Sequence, residues 1–94
     1  MPKSKDYRDA LNHIQEYLDE VVERFLKQYN LGDHFKTVQQ RAIAKRDSMP
    51  PGFSQDYAYI NEMTNGAVEE VIKECGVDPE VAATEFTREY LSGR

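Results

Sequence analysis

Residues 6–29 carry the pattern that most restricts the fold. Tyr7, Ala10, Leu11, Ile14, Tyr17, Leu18, Val21, Val22, Phe25, Leu26 and Tyr29 recur at spacings of three and four. At 100° per residue they fill one half of a helical wheel, and Asp9, His13, Glu16, Asp19, Glu20, Glu23 and Lys27 fill the other. A strand would alternate with period two, so six to seven turns of amphipathic helix is the reading that fits. Such a helix is roughly 36 Å long. Its apolar half is wider than a two-helix seam needs, so it expects two neighbours, or one neighbour and a second copy of the chain. Ser4 or Asp6 is the candidate cap at its start, and Gly32 the candidate left-handed stop.

Three further helices follow from the same reasoning. Residues 34–46, "HFKTVQQRAIAKR", have a narrow apolar line of Phe35, Val38 and Ala42, with Asp33 as candidate cap. "DSMPPGFS" then breaks the chain, because a residue that precedes proline is pushed out of the helical region. Residues 55–75 form the third helix, with Ser54 as candidate cap. Tyr57, Ile60, Met63, Ala67, Val68, Val71, Ile72 and Cys75 share its inner face by periodicity, which leaves Tyr59, Glu62, Gly66, Glu69, Glu70 and Lys73 on its outer face. The fourth helix, 79–91, opens with "VDPE": Asp78 caps, Pro79 takes the first helical position, and Val77 is placed to staple onto Ala82. Ala82, Ala83, Phe86 and Tyr90 mark its buried face, and "SGR" is expected to fray. The expectation is one all-α domain, a four-helix up-down bundle with two long and two short helices, since short connections favour antiparallel neighbours. At 94 residues the core is modest, which makes self-association through the first helix an expectation too.

Charge is distributed unevenly. The chain as a whole has net charge −5, residues 34–46 carry four cations and no acid, and residues 47–94 carry ten acids against three cations. Acidic proteins are repelled at long range by nucleic acid and by anionic lipid, which counts against both partners. No segment approaches the roughly 20 apolar residues of a membrane span, and the N-terminus lacks the apolar run of a signal peptide. The one cysteine, Cys75, rules out an intrachain disulfide and fits a reducing compartment. A cytoplasmic protein is the expectation.

Chemistry-bearing patterns are sparse. His13, Glu16 and Glu20 lie at helical spacing, but on the polar face and in the order opposite to the Glu-x-x-His of bundle di-metal sites, so they read as a solvated face. Cys75 stands at a helix C-terminus, where partial negative charge disfavours a thiolate, and reads as a small buried apolar residue. No glycine-rich phosphate loop, cysteine cluster or nucleophile elbow occurs. The expectation is therefore no catalytic, cofactor or metal residue and no small-molecule substrate.

Two segments raise nucleic acid as an alternative. "AVEEVIKECGVDPEVAATEF" (67–86) has a helix, a glycine turn and a proline-started helix, and resembles the turn of many bacterial helix-turn-helix repressors. Its second helix nevertheless carries Glu80, Glu85 and Glu89 against Arg88 alone, where base and phosphate reading needs donors. In 34–46 the cations Lys36, Arg41, Lys45 and Arg46 point several ways rather than along one stripe, and the acidic helices offer them internal partners. The leading expectation is a small acidic, non-enzymatic regulatory protein that binds a basic protein partner, in the manner of an inhibitor, immunity protein or antitoxin-like neutraliser. Arg41, Lys45, Tyr59, Glu62, Glu69 and Glu70 are the candidate partner-binding residues. Complementary charge would mainly speed encounter and select partners. A weaker third class is an accessory subunit that supplies no chemistry of its own.

Overall fold

The computed structural model describes residues 2–92, and residues 2–8 by their backbone only. Four helices account for nearly all of it: α1, Pro2–Gln28; α2, Phe35–Asp47; α3, Phe53–Cys75; and α4, Pro79–Ser92. A 3₁₀ turn, Gly32–His34, leads into α2. There is no strand among the described residues, and the helices pack as an all-α bundle. Residues 93 and 94 of "SGR" lie outside the described residues.

The helix ends show which local signals were decisive. At the end of α1 the left-handed residue is Asn30 (φ 61°), and Gly32 instead belongs to the 3₁₀ turn. The Asn30 amide donates to Lys27 O at 3.1 Å and the Leu31 amide to Leu26 O at 2.9 Å, which is the paired bonding of a Schellman motif. Leu31 and Leu26 are both buried, so an apolar contact fixes the chain's exit from α1. This is why asparagine supplies the stop: the motif places its left-handed position two residues before the glycine. Because α1 already begins at Pro2, Ser4 and Asp6 lie inside it rather than ahead of it. Asp33 likewise does not cap α2, whose cap position is His34 with no side-chain bond. Gly52 (φ 121°) turns the chain into α3, which places Ser54 inside the first turn.

Two ends match the sequence reading. Gly76 (φ 65°) closes α3, its amide donating to Ile72 O at 3.0 Å. The Asp78 carboxylate accepts the Glu80 amide at 2.9 Å at the start of α4.

Leu18, Val21, Val22, Phe25 and Leu26 of α1 form the floor of the core. Val38 and Ala42 come down from α2, Met63, Ala67 and Val71 from α3, and Ala82 and Phe86 from α4. Phe25 meets Phe86 edge-on with ring centroids 5.2 Å apart. The first turns of α1 reach past this core: Ala10 is exposed, and Ile14 is 42% exposed although it lies on the apolar stripe.

The face of α3 departs from its periodicity. Tyr59, Gly66 and Glu70, expected outside, are buried, while Tyr57 and Cys75, expected inside, are exposed. The reason is α2, which packs along the side of α3 that hydropathy marks as polar. Gly66 makes that approach close, since a Cβ there would lie 3.0 Å from Val38 Cγ1 and 3.9 Å from Arg41 Nη2.

This contact gives a coupled prediction. Alanine is favoured over glycine in a helix by about 1 kcal/mol, but at position 66 the added methyl competes with Val38 for space. Gly66→Ala is expected to be more stabilising, or less destabilising, in a Val38→Ala background than in the wild type, by about 1 kcal/mol in a urea-unfolding double-mutant cycle. Strictly additive effects would show that the two positions do not press on each other.

Candidate functional site

The face of α3 buried against α2 gathers the polar groups of greatest chemical interest. At one end is Tyr59, only 4% exposed. Its hydroxyl donates to Asp19 Oδ1 of α1 at 2.7 Å and accepts from Gln39 Nε2 of α2 at 3.4 Å. The Arg46 guanidinium lies over its ring, 5.7 Å from the centroid, within cation–π range. Burial, reinforced by the bond to Asp19, holds the Tyr59 phenol protonated up to about 12. Burial likewise raises Asp19 above the ordinary carboxylate value, against the lowering effect of the tyrosine hydroxyl.

At the other end is Glu70, 8% exposed and the one charged residue among the buried ones of the described chain. Its two oxygens face different partners. Oε1 meets His34 Nδ1 of the 3₁₀ turn at 2.7 Å, and Oε2 meets Arg41 Nη2 of α2 at 3.4 Å. The bond to His34, helped by Arg41, holds the Glu70 carboxyl below its ordinary value. The same bond, with Asp33 and Glu74 nearby, raises the His34 imidazole. Both shifts favour the charged pair. Glu74, one turn further along α3, is exposed, and together His34, Glu70 and Glu74 bring one ligand-type atom each within 4.8 Å of one another.

The six candidate partner-binding residues therefore divide. Tyr59 and Glu70 are interior and join α3 to its neighbours, and Arg41 reaches in to Glu70 while remaining half exposed. Lys45, Glu62 and Glu69 stay at the surface or partly so. Within 34–46, Arg46 bonds Asp47 at 3.3 Å besides covering Tyr59, whereas Lys36 and Lys45 form no ion pair among the described residues. The basic helix is in large part a docking strip for its own chain. On α1, His13, Glu16 and Glu20 are all exposed.

The sequence does not reveal the meeting of His34 with Glu70 and Glu74, because it spans two elements. Glu70 and Glu74 are four residues apart on one helix, a spacing that places both on one face, but nothing local announces the histidine that joins them.

A second polar junction fastens α4. Glu89 accepts from Arg24 Nε and from Gln28 Nε2, each at 2.6 Å, so one carboxylate is held by two turns of α1. The Tyr17 hydroxyl donates to the Tyr90 carbonyl, with the two rings packed edge-on at 5.2 Å. In α4, Arg88 pairs with its own Glu85 at 2.8 Å.

The surface between α3 and α4 is less completely filled. Ile14, Leu18, Ile60, Thr64, Phe86 and Tyr90 line a mainly apolar groove of ≈ 280 Å³. Thr64, Phe86 and Thr87 continue it into a second hollow of ≈ 310 Å³ edged by Val68, Ala83 and Glu69. No helix among the described residues is long and apolar enough to cross a membrane. The chain matches no protein-family model, no curated protein and no solved structure.

The buried phenol sets an alkaline test. A group whose folded pKa is raised keeps a proton that the unfolded chain gives up near pH 10. Its share of stability is full below about pH 10 and falls as pH climbs from there towards 12. Tyr59→Phe is expected to remove the last step of the 295 nm tyrosinate titration and to flatten the loss of stability between pH 10 and 12. At neutral pH the same change should cost about 1 kcal/mol for the lost hydroxyl bonds. A wild-type titration with no step above the ordinary tyrosine range would contradict this burial.

Proposed function

We propose that this protein is a non-enzymatic, acidic interaction module that takes a basic amphipathic helix of a partner protein into the groove between α3 and α4. The groove carries the reading. It is continuous through Thr64, Phe86 and Thr87, mainly apolar, and bordered by Glu69. An apolar trough of this kind suits the i, i+3, i+4, i+7 anchors of an amphipathic helix. The charge balance supports a basic occupant, since residues 47–94, which supply α3 and α4, carry ten acids against three cations. A neutraliser of a basic protein, acting in the cytoplasm, is the biological role this surface suits. Of the partner-binding residues expected from sequence, Glu69 is the acid that keeps that role in the proposal; Glu62 lies in a separate hollow with Lys45 and Met49.

Nucleic-acid binding is the weaker alternative. Arg41 and Arg46 are turned onto Glu70 and Tyr59, Arg88 onto Glu85, and Glu89 is held by Arg24. That leaves Lys36 and Lys45 as the cations of 34–46 for phosphate, too few for tight association at physiological salt. Self-association along α1 has its own support in the uncovered start of the apolar stripe, at Ala10 and Ile14.

The test uses a fluorescein-labelled model helix of leucine and lysine with anchors at helical spacing, followed by anisotropy. Binding that weakens with salt is expected. Thr64→Lys or Glu69→Lys should each weaken it about tenfold, roughly 1.4 kcal/mol, by placing a cation in or beside the groove. Equal affinity in those variants would remove the groove from the account. A labelled oligonucleotide that binds while the peptide does not would favour the alternative, and sedimentation of the protein alone at high concentration decides self-association.

A further inference from the structure

The side chains that join the 3₁₀ turn to α3 are also a donor set. We propose that His34, Glu70 and Glu74 form a binding site for one divalent transition-metal ion of the zinc class, with water completing its coordination. Among the described residues this is the one group of three or more histidine, cysteine or acidic side chains whose ligand atoms converge.

The fold builds this site before any ion arrives. Glu70 and Glu74 stand on successive turns of α3, so their spacing is set by the helix itself. His34 approaches from the opposite side, on a turn anchored by the buried Leu31 and by the His34 amide bond to Leu31 O at 2.9 Å. Arg41 takes Glu70 Oε2, which fixes the carboxylate plane and leaves Oε1 directed at the imidazole. An outer partner that orients a ligating carboxylate in this way is a usual feature of metal sites.

The donor types select the ion. One imidazole nitrogen with two carboxylate oxygens suits zinc and its first-row neighbours, whereas calcium and magnesium favour all-oxygen sets. Zinc–ligand distances of about 2.0–2.2 Å place neighbouring donors roughly 3 Å apart. The 2.7 Å between His34 Nδ1 and Glu70 Oε1 must therefore open slightly, and the wider spacing to Glu74 must close. Glu74 is exposed and the imidazole only partly covered, so both have room to move. The charged groups around the imidazole are Asp33 on its own turn, Glu70 and Glu74 on α3, with Arg41 of α2 and Lys73 of α3 acting on Glu70. With the imidazole neutral, as a ligand must be, three carboxylates against two cations leave a place for added positive charge. The ion displaces the proton that the His34–Glu70 pair holds, and that competition together with the two cations keeps the affinity moderate.

An ion here would tie the entry of α2 to the last turns of α3, and it would bind only the folded chain. Chelator-treated full-length protein is titrated with zinc chloride at pH 7.5 by calorimetry, and its thermal unfolding is followed with and without zinc. One ion per chain is expected, with a rise in Tm. Glu74→Gln, a change at an exposed position, should fold as the wild type does, weaken zinc about tenfold or more and abolish the rise in Tm. His34→Gln should act in the same direction. His13→Gln, on the exposed face of α1, should leave both readouts unchanged. Absence of saturable binding at one equivalent would overturn the proposal, as would wild-type zinc affinity in Glu74→Gln. Loss of binding in His13→Gln would also overturn it by moving the ion to α1.

Discussion

The close passage of α2 over α3 at Gly66 is the contact on which the rest of the arrangement depends. A helix that lacks a side chain at one position allows its neighbour to approach, and here Val38 occupies that space. The polar residues one and two turns away on the same side of α3 are carried under α2 with it. Tyr59 and Glu70 are consequently interior, and each needs partners from other elements. A buried polar group left unsatisfied costs more than a made bond returns. Asp19, Gln39 and Arg46 around Tyr59, and His34 and Arg41 around Glu70, meet that requirement. Much of the positive charge of residues 34–46 is thereby spent inside the molecule.

The helices are held by two kinds of contact in different places. Apolar packing of α1 against the other three supplies the non-directional part, centred on Phe25, Val21 and Val22. The polar junctions then fix orientation. Glu89 bound by Arg24 and Gln28 settles how α4 lies along α1, and Glu70 with His34 settles how the 3₁₀ turn meets α3. Partly exposed ion pairs of this sort contribute modestly to stability. Their effect is on geometry, which is what allows three donors from two elements to converge.

Much of the secondary structure was legible because it is local. The stripe of α1, the Asp78–Pro79 start of α4 and the Gly76 stop of α3 each depend on residues a few positions apart. Local reasoning failed where several candidates competed for one role. Asn30 took the left-handed position expected of Gly32, and Gly52 took the cap position expected of Ser54. It failed more deeply on α3. Hydropathy periodicity finds one inner face, but α3 meets α1 and α4 on one side and α2 on another. Tyr57 and Cys75, apolar by type, ended outside, while Glu70, charged, ended inside.

The sequence by itself determined four helices, their approximate ends, an acidic surface and one short basic helix, because helix propensity, capping and charge are properties of neighbouring residues. Only the tertiary structure decided which face of α3 is interior, which cations are consumed by their own chain and which donors meet. Those outcomes depend on how closely two helices approach and on whether a polar side chain finds a partner tens of positions away. His34 lies 36 residues from Glu70, and only the packing of α2 against α3 brings them to 2.7 Å.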